Sequence, residues 1–137
     1  MTVIATDSAR IGNWLKHAYD PSTGFVFETV TVNEAAETDY VTGMVLGADS
    51  TGDYRVAVET AVDGSKVAAA IYVGDVLGND KQTIAASTDT KVLVLKRGPA
   101  IVSQTGIILD ATYDNAAKKN AVYASLAALN ILVSPTV

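Results

Sequence analysis

The apolar and polar positions of this chain alternate over short stretches, which predicts strands through most of its length and a helix near its end. Residues 25–32 read as a strand. Val26, Glu28, Val30 and Val32 share one face, and Phe25, Phe27, Thr29 and Thr31 the other, because side chains alternate along extended backbone. Residues 40–46 predict a short strand in which Gly43 marks a bulge or a close contact. A turn-rich loop follows over 47–53. Residues 54–62 alternate again, with Tyr54, Val56 and Val58 opposite Arg55, Ala57 and Glu59, as a half-buried strand does. Asp63-Gly64 is a turn signal of the hairpin type. Residues 67–76 are apolar on both faces apart from Asp75, the pattern of a central strand. A long polar connection is expected over 77–89, then a second buried strand over 90–96. Gly98-Pro99 bends the chain, the β run resumes over 100–102, and 106–109 predicts one more short strand.

The period changes after Tyr113. Asp114 or Asn115 suits an N-cap, and residues 116–129 (AAKKNAVYASLAAL) are rich in helix formers. Val122, Leu126 and Leu129 fall at i, i+4 and i+7 and make one apolar stripe, with Lys118 and Lys119 towards solvent. Asn130 suits a left-handed residue after the helix, and 131–133 a closing strand before Pro135. Residues 1–23 show no sustained period. They hold short apolar clusters (Val3, Ile4; Ile11, Trp14, Leu15) and run into Asp20-Pro21-Ser22-Thr23-Gly24, a strong loop signal. The expected organisation is an extended N-terminal arm over 1–23 and a single β-rich domain over 24–137. Trp14 has two readings, a residue packed back on its own domain or an interface anchor.

A length of 137 residues fits one domain with a sizeable core. With no cysteine, disulfides, thiolate metal sites and cysteine nucleophiles are excluded. Ten Lys and Arg against fifteen Asp and Glu give a net charge of -5, and the basic residues are scattered. Nucleic-acid binding draws on a basic stripe that is missing here. The first residues lack the charged start and apolar middle of a signal peptide. No apolar run approaches the ~20 residues that span a bilayer. Synthesis and use in the cytoplasm, with no membrane partner, are expected.

The residues that carry chemistry are sparse. His17 is the one histidine, so a histidine-based triad or a transition-metal site has little to build on. There is no GxSxG, no P-loop and no dinucleotide fingerprint. Asp49 and Asp53 flank Ser50-Thr51-Gly52 in a loop that invites a calcium reading, but the ligand order is wrong for an EF-hand and its terminal Glu is absent. Gly52-Asp53-Tyr54-Arg55 is similar to the Asp-Tyr-Arg-Gly stretch of trimeric dUTP-hydrolysing enzymes. Val56 stands in place of the glycine, and the glycine-rich C-terminal arm of those enzymes is missing. No catalytic residue, cofactor or metal is expected.

From Gly43 onward the order of motifs resembles the lambda-type phage head decoration, or capsid cement, family. Gly43-Met44-Val45-Leu46-Gly47 resembles its early apolar strand. Asp63-Gly64-Ser65 before Val67-Ala68-Ala69-Ala70-Ile71 resembles its Asp-Gly turn and Ala-rich strand. Val92-Leu93-Val94-Leu95-Lys96-Arg97-Gly98-Pro99-Ala100 resembles the strand and bend that follow, and 116–133 its terminal helix and last strand. Ala70 and Asn130 stand where the family pattern has glycine. The resemblance implies a mainly β, β-clip-like compact domain with one C-terminal helix, assembled as a homotrimer. It implies a non-enzymatic virion protein that sits on the outer surface of the expanded capsid at threefold and quasi-threefold positions. There it would bridge major capsid protein subunits, after synthesis in the host cytoplasm. Its N-terminal arm would bind the shell, which makes Thr2, Val3, Ile4, Ala5, Ile11, Trp14, Leu15 and Tyr19 the candidate contact residues. Strand addition by 2–5 is a suitable mode, since main-chain hydrogen bonds supply the affinity. The competing readings are another trimeric β virion module, such as a tail or fibre component with a host-binding face, and a dUTP-hydrolysing enzyme.

Overall fold

The computed structural model describes residues 11–19, 25–75, 77 and 79–135. A 3-10 turn, Ile11–Asn13, leads into β1 (Leu15–Ala18). Then follow β2 (Phe27–Val32), β3 (Thr38–Val41), β4 (Val45–Ala48), β5 (Tyr54–Val56), β6 (Ala68–Asp75), β7 (Lys81–Ile84), β8 (Thr90–Leu95), β9 (Ala100–Ser103), α1 (Ala116–Ala127) and β10 (Ile131–Ser134). Among the described residues the protein is mainly β with a single C-terminal helix, as its sequence pattern predicts.

Five strands close into a barrel in the order β2-β5-β4-β6-β8. The longest seam is antiparallel β2–β8, from Phe27 opposite Leu95 to Val32 opposite Thr90. The shortest is parallel β2–β5, where Val32 pairs with Tyr54 and Asn33 N–H donates to Tyr54 O at 3.0 Å. The alternation predicted for 25–32 holds over 29–32, where Val30 and Val32 are buried, whereas Glu28 is not buried and Val26, which precedes β2, is buried in a different cluster. Val30, Val32, Leu46, Ala70, Tyr72, Val92 and Val94 form one cluster within the barrel, and Tyr40 and Ile84 join it from the antiparallel ribbon β3–β7. The opposite faces of β4, β6 and β8 present Val45, Ile71 and Leu95 to a second cluster. Val122 and Leu126 of α1 complete it together with Ala100, Val102 and Ile131 from the sheet β1-β9-β10. In that sheet β9 pairs antiparallel with β1 and parallel with β10.

The helix starts where its cap demands. The Asn115 side chain accepts from Lys118 N–H at 2.9 Å, satisfying one donor of the first turn. It stops before Asn130, whose φ of 62° is the left-handed conformation that Asn tolerates. The strands differ from the pattern in five places. Residues 40–46 are two strands, because Gly43 at φ 98° turns the chain between β3 and β4. β5 ends at Val56, after which Ala57 N–H turns to Val45 O and a tight turn forms at Val58–Ala61. Asp63-Gly64 is a turn, but the flanking strands do not make a hairpin, since β4 lies between β5 and β6 and pairs with both. The connection over 77–89 contains β7, and 106–109 contributes a single bridge, Met44 with Ile108.

Candidate functional site

The expected arm is rooted in the domain much earlier than residue 23. Trp14 is 0% exposed, and its indole N–H donates to Thr42 Oγ1 at 2.8 Å. Two glycines make room for it. A Cβ on Gly43 would lie 3.0 Å from the Trp14 ring, and one on Gly106 would lie 2.2 Å from Asn13 O. Ser103 N–H donates to Trp14 O at 2.6 Å, and β1 then pairs with β9, Leu15 opposite Val102, His17 opposite Ile101 and Ala18 opposite Ala100. Tyr19 N–H closes the run on Pro99 O at 2.9 Å. Of the candidate contact residues, Trp14 is therefore a core residue, and Ile11 and Leu15 are half-buried against the same cluster. Tyr19 is exposed. Thr2, Val3, Ile4 and Ala5 lie outside the described residues. The weak periodicity of 1–23 hid this root, because what buries Trp14 comes from Thr42, Gly43 and Gly106, far along the chain.

The bulge between Leu15 and His17 lets β1 turn Leu15 and Ala18 inward while His17 faces out. His17, Ile101 and Leu132 then stand side by side across the three strands. A second surface feature surrounds Phe25, which meets Tyr19 edge-to-face with ring centroids 6.1 Å apart. Arg97 lies 5.8 Å over the Phe25 ring, donates to Phe25 O at 2.7 Å and pairs with Glu28 at 2.6 Å. The hydrogen bond from Arg97, and then that from Lys96, hold the Glu28 carboxyl below its ordinary range.

The carboxylates that invited catalytic or metal readings are occupied by the protein's own donors. Asp49 Oδ1 accepts from Thr51 N–H, Thr51 Oγ1 and Asp53 N–H at 2.9, 2.6 and 3.2 Å, and Oδ2 accepts from Arg55 at 2.9 Å. These bonds, the Thr51 hydroxyl foremost, hold its acidity below the ordinary carboxylate value. Asp49 is thus the clasp of a turn, and Arg55, which also pairs with Asp63 at 3.2 Å, ties that turn to the Asp63-Gly64 loop. The buried Glu34 accepts from Tyr40 Oη and from Val56 N–H, a cross-link between the ribbon and the barrel seam. Burial, then the hydrogen bond to Glu34, push the Tyr40 phenol far above its usual range. Among the described residues no three His, Cys, Asp or Glu side chains converge as metal ligands, and no helix is long and apolar enough to cross a membrane.

A family model described as bacteriophage lambda head decoration protein D matches residues 5–131. The chain belongs to that family. A comparison with curated proteins returns no match. The matched span takes in Ile11–Ala18 as well as the motifs from Gly43 onward, and so agrees with a root that is part of the domain. Membership gives this head decoration protein a structural role in the phage capsid and a place in the virion.

Proposed function

We propose that the chain assembles as a homotrimer on the outer surface of the expanded phage capsid, at threefold and quasi-threefold positions. There it stabilises the shell by bridging major capsid protein subunits, and it performs no catalysis. Membership of the head decoration family over residues 5–131 carries this reading. The contact falls to residues preceding Ile11, with Thr2, Val3, Ile4 and Ala5 adding a strand to the shell, and to the exposed Tyr19, because Trp14 and its neighbours are committed to the core. Ordering such a segment costs about 1–2 kcal/mol per residue in backbone entropy, so one copy binds weakly. Three copies on a rigid body gain avidity, since the second and third engagements are intramolecular. The protein itself needs no switch to wait for expansion if the complementary site is absent from the immature shell.

The test is co-sedimentation with purified, expanded, undecorated capsids, alongside light scattering of the free protein. Saturable pelleting and a mass of three chains are expected. No pelleting at micromolar protein would sink the cement role, and a monomeric mass under those conditions would sink the trimer.

A further inference from the structure

The outward row of the sheet β1-β9-β10 is apolar on β9 and β10, where a solvated sheet face is ordinarily polar. His17, Ile101 and Leu132 stand in register across it, one from each strand. Their strand neighbours Ala100, Val102 and Ile131 point the other way and are buried in the core. Leu132 is 58% exposed, and neither it nor Ile101 belongs to either hydrophobic cluster. Pro99, Ala127 and Asn130 join the row to wall an open groove of about 540 Å³. Its lining holds no carboxylate, although the chain carries a net charge of -5. An apolar surface set in a polar one marks a contact.

We propose that this groove is a second capsid contact, which receives an apolar side chain or turn of the shell protein. The inference rests on the capsid-binding reading above. The described chain begins at Ile11, just before β1, and buried Trp14 fixes that start. From Ala5 to Ile11 an extended chain reaches at most about 20 Å, so the shell surface held by residues 2–5 stays close to that root. β1 begins at Leu15, so His17, two residues on, lies about 7 Å along the strand from its start. A standard contact covers about 800 Å² per partner, a patch roughly 30 Å across, and it spans both the root and the groove. A second copy is the weaker occupant. A threefold contact joins two different patches, and the groove would need a matching ridge elsewhere on the same acidic chain.

Leu132→Glu places a charge in the groove at a position that makes no core contact. It should keep the wild-type oligomeric mass and a melting temperature within about 3 °C. Its binding to expanded, undecorated capsids should weaken by roughly tenfold or more, as a desolvated carboxylate against an apolar partner requires. Wild-type binding by Leu132→Glu, while deletion of residues 2–10 abolishes binding, overturns the groove and leaves the capsid reading standing. A changed oligomeric mass for Leu132→Glu assigns the face to contacts between copies and also overturns it. Failure of the wild-type protein to pellet overturns both readings. Hydroxyl-radical footprinting of the wild-type protein gives an independent measure. Leu132 and His17 should be protected on capsids relative to the free oligomer, and unchanged labelling refutes the contact.

Discussion

Trp14→Ala separates a rooted N-terminal segment from a free arm. The side chain is 0% exposed, and deleting a buried aromatic of this size costs about 3–5 kcal/mol. The substitution also removes the indole donor from Thr42 Oγ1, on a residue that is itself 1% exposed, which adds about 1 kcal/mol. For a domain of this size each kcal/mol moves the melting temperature by roughly 3–5 °C, so a fall of about 15 °C or more is expected. Calorimetry or far-ultraviolet circular dichroism at fixed protein concentration measures it. Concentration must be fixed because oligomerisation shifts apparent stability by mass action. Trp14→Phe, which keeps most of the ring and loses the hydrogen bond, should fall between the two. Trp14 is also the one tryptophan in the chain, so native fluorescence reports on it directly. Emission should be blue-shifted and resistant to iodide quenching. Deleting residues 2–10 should leave these signals intact, whereas deleting 2–19 removes β1 with Trp14 and should destabilise at least as much as Trp14→Ala. A Trp14→Ala protein that melts within about 3 °C of wild type, or a native tryptophan quenched as readily as the free amino acid, refutes the rooted segment.

Gly47→Ala should destabilise the barrel by about 3 kcal/mol, since the new Cβ would lie 1.9 Å from Ser65 O, a backbone atom with no room to yield. Thermal denaturation checks it, and a melting temperature equal to wild type refutes the close approach of β4 to Ser65. Asp49→Asn should cost about 1–2 kcal/mol at pH 7, where the carboxylate clasps Thr51, Asp53 and Arg55. Because folding lowers the Asp49 pKa below 3.8, its stabilisation is complete above that pH and lost as the pH falls through the lower folded value. Urea titrations of both proteins should therefore converge in acid, and a stability gap that stays constant from neutral pH down to about pH 2 contradicts the clasp.

Most of the body was legible because its signals are local. The two-sided apolar run of β6, the valines of β2 and β8, the Asn115 cap and the left-handed Asn130 each declare themselves within a few residues. What escaped depends on partners distant in sequence. Lys81-Gln82-Thr83 is polar and largely exposed, so nothing in it marks a strand, and β7 exists because β3 lies beside it. Residues 40–46 read as one strand because the apolar run continues through Gly43, whose positive φ divides it. The root at Trp14 is the same case with a functional consequence. Its burial is decided by Thr42, Gly43 and Gly106, and it moves the proposed binding segment to residues before Ile11. Nor was the groove on β9 and β10 legible, since Ile101 and Leu132 sit inside runs that read as core throughout.

Closure of the barrel also bears on where this protein can add a partner strand. A closed barrel has no unpaired edge, so among the described residues the open edges belong to β1 and β10 and to the ribbon β3–β7. The two sets differ in how they are guarded. The ribbon carries Asp39, Lys81 and Thr83 outward, and Asp39 accepts from Thr83 Oγ1 at 2.8 Å, so its exposed side is charged and internally satisfied. Such charges protect an edge from pairing with another chain. The three-stranded sheet has Lys16 on β1, but on β10 it presents Leu132, with no charged residue between Ile131 and Ser134. Its outward face is apolar on β9 and β10, at Ile101 and Leu132, beside His17 of β1. The guarded ribbon and the unguarded sheet are therefore not equivalent surfaces. The same sheet fixes the root of the N-terminal segment through β1, so the least protected edge and face of the molecule lie where its candidate binding segment begins.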